Sequence, residues 1–92
     1  MILAIDIGNT NIVIGVFHQD VMIEKWRIAT SNQYTEDEYA SKILPLLITL
    51  SVPETKITGA IISSVVKAVT KPMATFIEKY LKCTPMIAKN CN

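Results

Sequence analysis

Cysteine, histidine, glycine and tryptophan are all scarce in this 92-residue chain: two Cys, one His, three Gly and one Trp. Cys83 and Cys91 have seven residues between them, which is neither C-x-x-C nor a metal-ligand pair, and one His cannot complete a zinc set. A structural zinc site and a disulfide framework are therefore excluded, and two free thiols in a reducing compartment are expected. Charge is scarce too. The net charge is +1 and the lysines are spread along the chain, so no basic stripe marks a nucleic-acid footprint. The longest apolar stretch, Ile57 to Val66, is too short to span a bilayer and carries Thr58, Ser63 and Ser64. Met1 opens directly on a strand-like run with no basic n-region or cleavage site, so no secretion signal is expected and the cytoplasm is the expected location.

What remains is apolar and ordered. Half the residues are hydrophobic and 18% are charged, a balance that excludes a disordered segment. Met1 to Ile7 is apolar on both faces except at Asp6 and reads as a central strand covered on both sides. Gly8-Asn9-Thr10-Asn11 supplies turn chemistry, since Gly and Asn tolerate positive φ. Ile12 to Phe17 is a second, β-branched strand, His18-Gln19-Asp20 a polar turn, and Val21 to Ile28 a third strand whose Glu24, Lys25 and Arg27 suit a sheet edge. Three strands joined by short turns make an antiparallel meander.

Helical period follows. Thr35 and Glu38 form a capping box at the start of a helix, and Tyr39, Ile43, Leu46, Leu47 and Leu50 recur on one face. Pro45 is expected to kink it. After Pro53, Ile57 to Ser63 reads as a buried strand. Thr70 to Lys82 reads as a second helix, with Pro72 in its first turn and Met73, Phe76, Ile77, Tyr80 and Leu81 inward. Met86 to Ala88 suits a short last strand. The predicted order is βββαβαβ.

Asp6-Ile7-Gly8-Asn9-Thr10-Asn11 carries the chemistry. A carboxylate at the end of a central strand can hold Mg²⁺ beside a nucleotide's phosphates, often through water. A side-chain-free residue after it lets backbone N–H groups approach phosphate oxygens, and Asn9, Thr10 and Asn11 add uncharged donors. This is neither a Walker A loop nor G-x-G-x-x-G. On turn chemistry alone the segment is equally an ordinary hairpin tip. Against that, Asp6 interrupts a run that favours burial, and a buried carboxylate needs a partner or a metal. The remaining polar residues have bland readings: His18 as a solvated turn residue, Ser63 and Ser64 as cleft-lining or capping groups, and Trp26 and Arg27 as strand packing and surface charge. Glu36, Asp37 and Glu38 read as capping and solvated charge.

The run Met1 to Phe17, with Asp6-Ile7-Gly8-Asn9-Thr10-Asn11 at its centre, resembles the opening of type III pantothenate kinases. Trp26-Arg27-Ile28-Ala29-Thr30 is similar to the family's W-R-[IL]-x-T segment, Thr35-x-Asp37-Glu38-Tyr39 to its T-x-D-E-[YL] helix start, and Ile62-Ser63-Ser64-Val65-Val66 to its I-S-S-V-V segment. The chain departs from the family at Lys67, where Pro is usual, and only a changed helix entry is expected from that. The resemblance implies an α/β fold of the ribonuclease-H-like, actin-like ATPase kind: a mixed five-stranded sheet in the order 3-2-1-4-5 with two helices. Residues 1–92 would form one N-terminal phosphate-binding domain, with the family's second domain absent. A further helix normally covers one sheet face in that fold, so an uncovered apolar face is expected.

By resemblance the activity is ATP-dependent phosphorylation of pantothenate, the first step of coenzyme A synthesis. Asp6, Ile7, Gly8, Asn9, Thr10, Asn11, Ile12 and Val13 would form the first ATP-phosphate loop, with Asp6 the Mg²⁺-associated carboxylate. A monovalent cation, K⁺ or NH₄⁺, and a homodimer are also implied. The base lies in the family's G-A-D-R segment, which is not among these residues, so the chain by itself is expected to be inactive. Two alternatives stand beside this reading: another actin-like sugar kinase with a D-x-G-G-T opening, and a non-catalytic nucleotide- or partner-binding remnant.

Overall fold

The computed structural model describes residues 1–50 and 56–88. Five strands form one sheet: β1 (Ile2–Ile7), β2 (Asn11–His18), β3 (Val21–Ala29), β4 (Gly59–Ser64) and β5 (Met86–Ala88), in the order β3-β2-β1-β4-β5. The first three form the expected antiparallel meander, and β1–β4 and β4–β5 pair in parallel. Helix α1 (Glu36–Thr49) leads towards β4, and α2 (Lys67–Phe76) runs into a single π-helical turn, Ile77–Leu81, before β5. The βββαβαβ order and the 3-2-1-4-5 sheet are as expected. Pro53 and Cys91 lie outside the described residues.

Alternation along the strands decides which side faces the helices. Leu3, Ile5 and Ile7 of β1, Ile12, Ile14 and Val16 of β2, and Ala60 and Ile62 of β4 are buried. They pack with Tyr39, Ile43 and Leu47 of α1, Val69, Met73 and Phe76 of α2, and Ile77 and Leu81 of the π turn. Each inward Ile, Leu or Phe contributes about 1.5–3 kcal/mol of transfer free energy. The other side has no such cover among the described residues. Ile2 and Ile61 are 38% and 41% exposed there, beside Ala4 and Phe17. The expectation that the first strand is covered on both sides is thus corrected: β1 is central in the sheet but buried on one face. The uncovered apolar face, by contrast, is present as expected.

Local chemistry explains the helix boundaries. Glu38 N–H donates to Thr35 Oγ1 at 3.2 Å and Thr35 N–H donates to Glu38 Oε1 at 3.1 Å, which closes the capping box of α1. The helix runs on through Pro45, which is exposed. Helix α2 begins three residues earlier than expected, with Val66 as N-cap and no side-chain cap. Instead Ser64 Oγ accepts from Val66 N–H at 3.0 Å, an ST-type turn that swings the chain out of β4 into the helix. Lys67 is therefore the first helical residue, the position at which Pro is most readily accepted. Pro72 falls in the sixth place rather than the first turn. The helix ends on Lys82 in the left-handed region at φ 59°.

Candidate functional site

The carboxyl ends of β1 and β4 point the same way because the two strands are parallel. In open α/β sheets that edge is where ligands bind, because the loops leaving it diverge. Three segments meet there. The β1–β2 hairpin lies above β1, the chain leaving β3 runs alongside it, and β4 turns into α2 on the other flank.

Asp6 sits on the uncovered face in register with Val13 on one side and Ser63 on the other. It lines a depression of about 300 Å³ with Ala4, Val13, Gly15, Phe17, Met22, Ile61 and Ser63. Its side chain is exposed and makes no hydrogen bond or ion pair among the described residues. Burial therefore does not single Asp6 out, since this carboxylate is solvated. Its place at the polar end of an open apolar face is what sets it apart. Arg27 is in register with Val13, so a cation stands two strands away on the same face.

The hairpin is closed by Gly8 N–H donating to Asn11 O at 2.9 Å. No glycine has positive φ, so Gly8 is not there for a left-handed turn as expected. Its value is the close approach: a Cβ at Gly8 would lie 3.1 Å from Asn11 O. Among the described residues the N–H groups of Asn9 and Thr10 donate to nothing, and both residues are exposed. Asn11 Nδ2 donates to Thr10 Oγ1 at 3.1 Å, which ties two of the loop's side chains together. Ile7 and Ile12 are buried in the core. Within the stretch Asp6 to Val13 they can offer only backbone to a ligand, whereas Asp6, Asn9, Thr10 and Asn11 offer exposed polar side chains.

Sequence reasoning leaves the second wall of this edge without a role. Thr30 Oγ1 donates to Gly8 O at 2.8 Å, and Thr30 N–H donates to Thr10 O at 3.0 Å. Beyond it, Ser31, Asn32 and Gln33 line a polar pocket of about 470 Å³ with Asn9, Thr30 and Val66. Tyr39, wholly buried on α1, donates its hydroxyl to Ser31 O at 2.5 Å and so anchors this wall to the core. Burial is the main reason its phenol is held above the usual tyrosine range. The signal is the Thr at the end of the Trp26–Thr30 segment, whose contact with Gly8 spans 22 positions of sequence.

His18 is exposed at the end of β2, away from this edge. Gln19 and Asp20 follow it with φ of 51° and 67°, which makes the second hairpin a primed turn. Asp37 does more than favour the helix dipole: Lys79 Nζ and the Tyr80 hydroxyl both donate to its Oδ1, at 2.8 and 2.5 Å. These bonds hold its carboxyl below the usual range, with the Lys79 contact the larger cause. Among the described residues no group of three or more His, Cys, Asp or Glu side chains is gathered as a metal cage. Among the described residues, too, no helix is long and apolar enough to cross a membrane.

The sequence model of the type III pantothenate kinase family matches residues 2–92. The chain belongs to the type III pantothenate kinase family. Among its relatives, the type III pantothenate kinase of Halalkalibacterium halodurans is 44% identical over 87 residues, covering 95% of this chain and 34% of that protein. That of Rhodospirillum centenum is 44% identical over 86 residues, 94% of this chain and 33% of that protein. The chain thus spans about a third of the length of the curated relatives it matches. Among solved structures, a Bacteroides thetaiotaomicron protein with an actin-like ATPase fold superposes with a TM-score of 0.67 at 9% identity, over 95% of this chain and 32% of that one. YeaZ from Pseudomonas aeruginosa gives 0.65 at 9% identity, over 97% and 44%. Those likenesses show the fold, an actin-like ATPase sheet.

Proposed function

We propose that this chain supplies the first ATP-phosphate site of a pantothenate kinase, and that the full-length protein phosphorylates pantothenate with ATP in the first step of coenzyme A synthesis. One observation carries the reading. In a member of this kinase family, an exposed carboxylate without an internal partner among the described residues stands beside a hairpin whose tip N–H groups are unengaged, at the carboxyl edge of the parallel strands. The donor set fits Mg²⁺ bound to nucleotide. Magnesium keeps much of its water and takes one or two carboxylates plus phosphate oxygens, so a lone Asp6 suffices where a full protein cage would be superfluous. When bound, the metal would neutralise charge on the transferring phosphoryl group.

The chain's own residues would bind and orient. Asp6 would hold the metal, directly or through water. The N–H groups of Asn9 and Thr10 and the short side chains of Asn9, Thr10 and Asn11 would donate to the phosphate oxygens, Gly8 allowing their close approach. Ile7 and Ile12, packed into the core, would fix the two ends of the hairpin, and Val13 would wall the depression next to Asp6. With Asp6 given to the metal, no other described carboxylate or imidazole lines the edge, so the base is proposed to come from the part of the family's length that this chain does not span. The monovalent cation (K⁺ or NH₄⁺), the homodimer and the cytoplasmic location are proposed for the full-length protein on family grounds, and no residue described here is assigned to them.

Asp6→Asn tests the reading in the full-length protein. Even outer partners of metal ligands cost about ten- to a hundredfold when removed, so turnover should fall by at least about a hundredfold. The melting temperature should hold, since Asp6 has no internal partner to lose among the described residues. Turnover within a few-fold of wild type would remove Asp6 from the site.

A further inference from the structure

We infer that Thr30 is a positioning residue that aims the phosphate-facing N–H groups of the Gly8–Asn11 hairpin, an inference that rests on the phosphate-binding reading above. It reaches the hairpin twice, through Oγ1 to Gly8 O at 2.8 Å and through its own N–H to Thr10 O at 3.0 Å. All peptide bonds among the described residues are trans. In a trans peptide unit the C=O and the following N–H point in opposite directions. Holding the Gly8 carbonyl towards Thr30 therefore turns the Asn9 N–H away from it, and holding the Thr10 carbonyl fixes the Thr10–Asn11 plane, with its Asn11 N–H, in the same manner.

The bonds remove a liability as well as setting a direction. Backbone carbonyls carry partial negative charge, and a loop that meets anionic phosphate must keep them out of the way. Gly8 is the residue whose peptide planes are otherwise least restrained, because it has no Cβ to limit its φ and ψ. The clamp restrains the very plane that glycine leaves free. Gly8 N–H is already committed to Asn11 O, so the Thr30 hydroxyl completes the fixing of both its polar groups. The hydroxyl is part-buried, where a hydrogen bond is less exposed to competition from water.

Thr30→Val keeps the shape and removes the donor; Thr30→Ser keeps the donor and removes the methyl group. Both are made in the full-length protein, and three quantities are read: amide exchange at Gly8, affinity for MgATP, and KM for pantothenate. In Thr30→Val, Gly8 exchange should quicken and MgATP affinity should fall, each by about five- to tenfold, the scale of one hydrogen bond. The pantothenate KM should stay within about twofold, and Thr30→Ser should restore the first two quantities to within about twofold of wild type. A merely structural threonine would lower the melting temperature and leave MgATP affinity at saturating pantothenate unchanged. Unchanged Gly8 exchange in Thr30→Val, beside normal wild-type ATP binding, overturns the inference alone. So does failure of Thr30→Ser to rescue. Wild-type protein that does not bind MgATP overturns the phosphate-binding reading, and this inference with it.

Discussion

Replacing Gly8 with alanine separates what the hairpin needs in order to fold from what it needs in order to bind. Because Gly8 does not have positive φ, alanine meets no left-handed strain there. Alanine also restricts the unfolded chain, which favours the folded state by about 0.4–1 kcal/mol. Opposing this, the new Cβ would stand 3.1 Å from Asn11 O, a backbone atom that must give by a few tenths of an ångström. The same oxygen accepts the Gly8 N–H at 2.9 Å, so the shift weakens one hydrogen bond, a cost of about 0.5–1.5 kcal/mol. The two effects nearly cancel, and the net change in stability should lie within about 1 kcal/mol of zero. Binding has no such compensation. The displaced hairpin tip should weaken MgATP by about tenfold or more, equivalent to about 1.4 kcal/mol. Gly59→Ala is the control: its Cβ would meet the Ile2 Cδ1 at 2.9 Å, the flexible end of a side chain on the open face, well away from the loop. Thermal unfolding and MgATP titration of both variants decide the matter. A Gly8→Ala protein that loses more than about 2 kcal/mol shows that the glycine serves the fold, and one that binds MgATP normally shows that the close approach is not used for phosphate.

Two other expectations concern the frame of the site. The turn at Gln19 and Asp20 forces two non-glycine residues to positive φ, so Asn-Gly substituted there should raise stability by about 1 kcal/mol, measured by denaturant titration. Asp37 has its carboxyl held low chiefly by Lys79 and then by Tyr80, so its contribution is present above the unfolded value of 3.8 and is lost as pH falls through the lower folded value. Acid unfolding followed between neutral pH and that window should show this step, and Asp37→Asn should lack it.

How far the sequence can be read follows the reach of the interactions. Thr35 and Glu38 are three positions apart, and their capping box is legible from residue types and spacing alone. The meander is equally legible, because its strands are adjacent in sequence and their apolar runs are separated by polar turns. The start of α2 is less so, because residue types leave Ser64 open between capping and lining a cleft. Val66 makes no side-chain cap, and the turn that begins the helix is set by Ser64, which reads in sequence as a strand end. Residue preference allows positive φ at Gly8, Asn9 and Asn11, whereas within the two hairpins it is found at Gln19 and Asp20. The strand twist at the second hairpin requires it there, whatever the residues prefer. The Thr30 clamp and the Asp37 tie to Lys79 and Tyr80 bridge 22, 42 and 43 positions, distances at which no local pattern survives.

The misreading of Asp6 follows from a rule that holds for one face at a time. A strand apolar on alternating and intervening positions reads as buried twice over, and β1 has Leu3, Ile5 and Ile7 on one side and Ile2 and Ala4 on the other. Among the described residues only the first set meets helices. Along the open face, register places Ile2 beside Phe17 and Gly59, Ala4 beside Gly15 and Ile61, and Asp6 beside Val13 and Ser63. Polarity therefore rises along the strand direction and is greatest where the chain enters the hairpin. An apolar strip of this kind gains by being covered, whereas a carboxylate at its end avoids a desolvation cost only while its own surroundings stay open to water or to a cation. One face is thus asked to be dry at one end and wet at the other. That demand, rather than burial of the carboxylate, is the physical ground for proposing a ligand at the hairpin end of the sheet.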